Sequence, residues 1–469
     1  MLTILFDNAS HVPLYQQLYN FIRKEIDEGR LLPGEKLPSK RRLAGHLRLS
    51  QNTVEAAYNQ LTAEGYVRAQ AKSGYYVEDI GAPPLAPPPA SIPKTEAATG
   101  EETPYAYDFR TNVVDTACFP FSAWAKITRD MLSHDKDELL LPTPPEGEYG
   151  LRQEISRYLH AYRGVEAAPE HIIVGAGSEY LLGLLVQILA GDGRQNHYAV
   201  ENPGYYKTAK ILRANGAPVS PLPLDGEGID LHALHASGAN IVHITPSHHF
   251  PLGMVMPVSR RRQLLAWAAE APNRYLIEDD YVSEFRFSGR PIPALESLDT
   301  QGKVIYLNTF AQSLAPSLRI SYMVLPPALF ARYKQSFRFY ASSVPRFVQH
   351  ILRRFMAEGH FERHLARMRT LYKNRRNLFL EQIAQSPLAG RIEIGGTEAG
   401  MHLLLRLQGM DEATLLARAK QAGVHVYGLS EYYSQPVADM PQNTVIAGFS
   451  GFSDEELTVA VSHLLAAWQ

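Results

Sequence analysis

Four short segments of the 469-residue chain carry side chains able to bind or transform a small molecule. His171-Ile-Ile-Val174 runs into Gly175-Ala-Gly177-Ser178-Glu179 and then a helical stretch, and glycines between a strand and a helix let backbone amides approach a phosphate at the positive helix end. Glu201-Asn-Pro-Gly-Tyr205 closes another strand-like run with an aromatic ring able to stack on a planar ligand. Ile277-Glu278-Asp279-Asp280-Tyr281 sets carboxylates and a phenol at a strand's C-terminal end, the edge where α/β proteins bind ligands. An aspartate there can pair with a protonated pyridine nitrogen, and a tyrosine can hold a phenolate oxygen of the same ring. Tyr306-Leu-Asn-Thr-Phe310-Ala311-Gln312-Ser313, followed by Arg319, can bring a hydroxyl and a guanidinium to a phosphate. A dinucleotide site is a second reading of the glycines, with Glu201 as the ribose partner, but the third glycine position is Tyr180.

A separate set nearer the N-terminus suits a nucleic acid. Ser39 can cap a helix holding Leu43, Ala44 and Leu47, with Lys40, Arg41 and Arg42 in its first turn. After a turn at Leu49-Ser50, a second helix carries Thr53, Val54, Ala57, Tyr58 and Leu61 on one face. This is helix-turn-helix spacing, in which the second helix enters the major groove with its first residues towards the bases. Those residues are Gln51, Asn52 and Thr53, which can hydrogen-bond base edges or phosphate, Asn and Gln being suited to adenine. Tyr66 to Val77 reads as a hairpin whose tip, Lys72-Ser73-Gly74, forms a wing. A solvated basic face on a three-helix domain is the plainer alternative. The order of helix, capped helix, polar-tipped helix and basic hairpin favours the DNA reader.

The two sets need different scaffolds, and the chain divides accordingly. Its net charge is −2, yet Lys36 to Lys72 alone has a balance of +5, leaving −7 for the rest. Pro83, Pro84, Pro87, Pro88, Pro89, Pro93 and Pro104 mark a stretch that favours an extended, semi-rigid conformation. The expected division is a small domain at 1–78, a linker at 79–106 and a large domain at 107–469. In the large part, His171–Val174, Tyr198–Val200, Ile241–Ile244, Tyr275–Ile277 and Val304–Leu307 alternate with amphipathic helical stretches, which argues an α/β architecture with a mainly parallel sheet. From about Ser336 a long basic helix is expected, with Arg353 to Arg376 pairing to the acidic body rather than to DNA.

Composition narrows the class further. At 45% apolar and 20% charged residues the chain is not disordered, collagen-like or a coiled coil. A single cysteine, Cys118, excludes an internal disulfide and a cysteine-based zinc site. His360 and His364 have the i, i+4 spacing of a metal clamp but no third ligand in view, so no metal site is expected. The apolar stretch Leu181 to Ala190 falls far short of the ~20 residues of a membrane helix, and no basic-then-apolar signal opens the chain. A soluble, cytoplasmic protein is expected.

Pro33-Gly34-Glu-Lys-Leu-Pro-Ser-Lys-Arg41, Leu43-Ala44, Thr53-Val54, Ala57-Tyr58, Gly65-Tyr66 and Ser73-Gly74-Tyr-Tyr-Val77 resemble the winged helix of the GntR family. The ligand segments of the large part, with Thr245-Pro-Ser-His-His-Phe-Pro-Leu-Gly253, resemble a fold-type I aminotransferase with a C-terminal α+β subdomain. Joined in this order, the two resemble the MocR/GabR class of transcriptional regulators. That resemblance implies a homodimer that binds a double-stranded DNA operator and senses a small-molecule effector. It also implies pyridoxal 5'-phosphate as cofactor, with Gly177, Ser178 and Glu179 lining the phosphate cup, Tyr205 on the ring, Asp279 at the ring nitrogen and Tyr281 at the ring oxygen. Arg319 and Ser313 then lie near the phosphate.

Four departures from the family pattern decide what to expect. The lysine that joins the cofactor aldehyde is replaced by Gln312, whose amide nitrogen is not nucleophilic, and the preceding serine by Ala311. An active aminotransferase with an attached DNA-binding domain is the alternative that Gln312 disfavours. The cofactor is then either held non-covalently or replaced by another planar or phosphorylated ligand. On the effector side, Glu431 reverses the charge of a carboxylate-binding arginine, so an amino-acid carboxylate meets repulsion unless Lys207 or another cation intervenes. Lys207 reads either as a ligand contact or as a surface lysine, the second being favoured, while His248 and His249 are further candidates for the effector site. The arginine usual after the turn serine is Gln51, which argues against transferring an operator sequence.

Overall fold

A computed structural model shows two compact units, Met1–Glu101 and Glu102–Gln469. The structure describes residues 4, 6–7, 12–81, 105–134, 136–191, 193, 195–289, 291–437 and 440–469. Most of the expected linker therefore lies outside the described residues. No helix among them is long and apolar enough to cross a membrane.

The first unit is built by capping and periodicity. Helix α1 (Leu14–Asp27) buries Leu18, Tyr19, Ile22 and Ile26, one face at three- and four-residue spacing. The Ser39 hydroxyl accepts from the Arg42 amide at 3.3 Å and opens α2 (Lys40–Leu47). Ser50 does the same for the Thr53 amide at 3.0 Å and opens α3 (Gln51–Ala63). Strands β1 (Val67–Gln70) and β2 (Gly74–Val77) pair antiparallel, with Lys72 and Ser73 in the turn. Leu43, Val54, Ala57, Tyr58 and Leu61 are buried together at the centre. Leu61→Ala should destabilise this unit by about 2–5 kcal/mol, the range for emptying a packed leucine site, read as a lower urea midpoint.

The second unit is organised on an eight-stranded sheet. Its strands are β3 (Ile172–Gly175), β4 (Tyr198–Asn202), β5 (Val219–Asp225), β6 (Gly228–Ile229), β7 (Ile241–Ile244), β8 (Tyr275–Asp279), β9 (Val304–Thr309) and β10 (Ser321–Val324). Their spatial order is β3-β10-β9-β8-β7-β4-β5-β6. The run β9, β8, β7, β4, β5 is parallel, while β10 is antiparallel to both neighbours and β6 returns as a hairpin on β5. Both faces are covered. Ile173, Ile305, Leu307 and Met323 pack with Leu181 and Leu185 of helix Ser178–Leu189. Their strand neighbours Ile172, Val174, Tyr306, Tyr322 and Val324 face the opposite layer.

The C-terminal α+β part holds a four-stranded antiparallel sheet of β11 (Ile392–Gly395), β12 (His402–Leu407), β13 (Tyr427–Gly428) and β14 (Thr444–Gly448), in the order β11-β12-β14-β13. Tyr107–Asp108 pairs in parallel with Val424–His425, which ties the start of this unit to its C-terminal part. The expected long basic helix is two helices, Arg346–Ala357 and His360–Gln385, separated at Gly359, whose φ is 70°. Several of the arginines from Arg353 to Arg376 are engaged within the unit, though among the described residues only Arg354 and Arg375 pair with acidic side chains. Arg375 pairs with Asp115 at 2.7 Å and Asp454 at 3.2 Å, and Arg367, Arg369 and Arg376 donate to backbone carbonyls. His364 is buried, which pushes its pKa down to about 4, and His360 faces Glu358 at 3.5 Å.

Candidate functional site

The C-terminal ends of the parallel strands open into a cavity of about 260 Å³. The turn after β3 and the helix Ser178–Leu189 that it opens supply Gly177, Ser178 and Glu179, the loop after β4 and the first turn of the helix Tyr206–Ala214 supply Tyr205 and Lys207, β8 and its following loop supply Asp279 and Tyr281, and β9 leads to Thr309, Ala311, Gln312 and Arg319. These expected residues converge although they come from four strands. Helix Ser178–Leu189 has no side-chain cap, so its first amides are left for a ligand. Gly177 takes φ 99°, and a Cβ on it would strike the guanidinium of Arg319, which lies directly over it. Gly177→Ala should therefore displace Arg319, and if the cavity takes a phosphate should weaken its binding about tenfold or more, measured by titration calorimetry.

The other walls carry polar atoms with no protein partner. The Tyr281 hydroxyl is buried and unpartnered, and burial, followed by the charge of Asp279, raises its pKa well above that of an ordinary phenol. Gln312 donates from Nε2 to the Asn112 carbonyl at 3.4 Å, while its Oε1 is buried without a partner. Asp279 meets the buried His243, Nε2 to Oδ2 at 3.4 Å. Parallel pairing sets His243 opposite Ile277, two residues before Asp279 and on the same face. Lys207 is half-exposed on the helix after β4, as its favoured reading has it, and also borders the cavity with its ammonium turned to Glu179 at 3.1 Å.

A second cavity of about 520 Å³ adjoins the first and shares Asn112, Tyr205, Lys207 and Phe250 with it. Glu431 borders this one and not the first. One Glu431 oxygen accepts the Gly428 amide at 3.1 Å. Three cations accompany it, Lys207, Lys210 and Arg110, and five aromatic rings, Tyr205, Tyr206, Phe250, Tyr427 and Tyr432.

Several expectations need correction. His248 and His249 line neither cavity; each is 2% exposed, and it is Phe250 that faces the ligand space. Burial lowers the pKa of His249 to about 3 and that of His248 well below the ordinary value. Ser313 is also buried and does not line the cavity, whose aliphatic hydroxyls are those of Ser178, Thr245 and Thr309. Glu201, the ribose partner of the dinucleotide reading, points inward instead. It accepts the amide and hydroxyl of Thr245 at 3.1 and 2.8 Å, and burial raises its pKa to about 7.

In the first unit, Gln51 and Asn52 stand exposed at the start of α3, and Arg41 and Arg42 are exposed in the first turn of α2. Thr53 is half-buried, its hydroxyl 2.8 Å from that of Ser50. Lys40 is already paired with Glu55 at 2.6 Å, so it steadies α2 against α3. At the hairpin, Lys72 has φ 60° and Gly74 has φ 124°, and the Ser73 hydroxyl lies 2.6 Å from that of Tyr76. Lys36 and Arg68 sit over the Tyr76 ring at 5.6 and 5.7 Å and add charge to the wing that helix-turn-helix spacing alone does not assign.

A capped helix-turn-helix with a basic wing, joined in one chain to an aminotransferase-type domain, defines a class of DNA-binding transcriptional regulators. Residues 14–77 match the bacterial regulatory proteins of the gntR family, and residues 107–464 match aminotransferase class I and II. The chain is 39% identical over 474 residues to the HTH-type transcriptional regulator YdeL of Bacillus subtilis, covering 100% of this chain and 99% of that one. It is 33% identical to the probable rhizopine catabolism regulatory protein MocR of Rhizobium meliloti, over 99% and 96% of the two chains. Among solved structures, a kynurenine aminotransferase of Pyrococcus horikoshii superposes with a TM-score of 0.65 at 24% identity, over 78% of this chain and 91% of that one, which shows the fold. The chain belongs to the MocR/GabR-type subfamily of GntR transcriptional regulators.

Proposed function

We propose that this regulator reads a double-stranded operator through Gln51, Asn52, Thr53, Arg41, Arg42 and the wing at Lys72–Gly74, and that its aminotransferase-like domain senses a small molecule. As a homodimer it would grip paired half-sites, and ligand binding would bias the half-site spacing that two copies accept. The domain acts as a sensor and not as an enzyme. The observation that carries this reading is Gln312, an amide in the short helix after β9 that borders the cavity, at the position that the family resemblance gives to the lysine.

The residues present fit pyridoxal phosphate without a covalent link. The uncapped helix start and Arg319 suit its phosphate, Asp279 its ring nitrogen, the unpartnered Tyr281 hydroxyl its ring oxygen, and Tyr205 its face. Bound there, the group would supply an aldehyde and an electron-withdrawing ring. Lys207 is the only amine among the described residues lining this cavity, and Glu179, then Tyr205, raise its pKa, so it stays protonated and is no nucleophile. With an amide at position 312, the base that moves the substrate proton in the family's enzymes is missing there. His243 steadies the Asp279 carboxylate, and Phe250 with Tyr205 keeps the ring face dry.

The absorption spectrum of the full chain with added pyridoxal phosphate tests this reading. Saturable binding without a borohydride-reducible band near ~420 nm is expected. A reducible band in that region would refute non-covalent binding.

A further inference from the structure

One carboxylate in the first cavity is shared by two cations from distant parts of the chain. Glu179, in the first turn of helix Ser178–Leu189, receives Lys207 Nζ on Oε1 at 3.1 Å and Arg319 Nη2 on Oε2 at 2.9 Å. Lys207 borders both cavities, whereas Arg319 borders only the one at the helix start. The same Nη2 of Arg319 also reaches the Ala176 carbonyl at 3.3 Å. The Lys207 ammonium, and after it the Arg319 guanidinium, hold the Glu179 carboxyl below the usual range, so it is an anion at neutral pH. An anion at this point has the same sign as the ligand that an uncapped helix start and an arginine attract.

We propose that Glu179 is an internal counter-anion, holding Arg319 until a phosphate enters the first cavity and then passing wholly to Lys207, so that one carboxylate couples the two cavities. The proposal rests on the reading of the first cavity as a phosphate cup. A phosphate at the helix start takes the N–H groups of Arg319 in paired, charge-assisted hydrogen bonds. Glu179 then faces a like charge, and it keeps a partner because Lys207 already holds its other oxygen. The ammonium drawn to Glu179 is withdrawn from the second cavity. Filling the cup therefore makes that cavity less receptive to anions, and an anion bound there weakens phosphate binding by the same factor.

Titration calorimetry of the full chain with inorganic phosphate tests this on wild type, Glu179→Gln, Lys207→Met and the double variant. Glu179→Gln should tighten phosphate about tenfold, because the competing charge is gone. Lys207→Met should weaken it about threefold or more, because the carboxylate is left to Arg319 alone, yet it should change affinity by less than about twofold when Glu179 is already Gln. Arg319→Ala should abolish the titrated binding, which places it in the cup. Unchanged affinity in Glu179→Gln, or an equal penalty for Lys207→Met in both backgrounds, overturns the proposal and leaves the cup standing. No phosphate binding in any of the four proteins, or binding that survives Arg319→Ala, overturns the cup reading and the proposal with it.

Discussion

A Gln312→Lys variant incubated with pyridoxal phosphate should become covalently labelled after borohydride reduction, while the wild type stays unlabelled. The change is close to all-or-none, since an amide nitrogen does not attack an aldehyde and an unprotonated amine does. Position 312 sits in the short helix Phe310–Ser313, which the Thr309 hydroxyl caps by accepting the Ala311 amide at 3.1 Å. The native side chain gives up little when replaced: one 3.4 Å hydrogen bond to the Asn112 carbonyl, with its Oε1 already unpartnered. The Lys207 ammonium in the same cavity is paired with Glu179, so its charge bears less on a new amine than an unpaired ammonium would. Peptide mapping of the reduced protein checks the result. Label on Lys207 of the wild type would contradict the assignment of Lys207 as a protonated partner of Glu179.

The second large effect is expected at the tip of α3. Gln51→Ala and Asn52→Ala each remove exposed hydrogen-bonding groups from the leading edge of the helix that enters the groove. Each should cost about 1–3 kcal/mol against the preferred operator and little against unrelated DNA, read by fluorescence anisotropy. Arg41→Ala and Arg42→Ala should instead weaken all duplexes and flatten the salt dependence by about one unit each. Lys40→Ala should act mainly by loosening α2 from α3, because Glu55 already takes its charge. Affinity losses that do not distinguish operator from unrelated DNA would remove Gln51 and Asn52 from direct readout.

Much of this architecture is legible in local sequence signals. Ser39 and Ser50 mark helix starts because their hydroxyls satisfy free amides a few residues on, and both caps form. The apolar runs of β3, β4, β7, β8 and β9 read as buried parallel strands, with the ligand residues at their ends. Features that depend on register and on long-range pairing are not legible in this way. His243 reaches Asp279 only because β7 and β8 pair in one register, and no spacing within either strand announces it. Arg110 and Asn112 enter the cavities because Tyr107–Asp108 pairs with Val424–His425, far along the chain. The strand β10 is four residues long and antiparallel, a connection that a pattern of alternating strands and helices does not suggest. His248 and His249 look available in the sequence because polar residues in a loop usually are, yet it is the equally buried Phe250 that borders the cavities and both imidazoles lie off them.

The net charge of −2 conceals the basic stretch from Lys36 to Lys72 in the reader, and the regulatory role of the chain depends on that reader being sequence-specific. Selection of the full chain against a pool of randomised duplexes, at low salt and with pyridoxal phosphate present, tests that specificity most directly. The expected result is enrichment of one sequence family with two spaced half-sites, bound with an affinity that falls steeply as salt rises. Recovery of a pool no different from the input would contradict it.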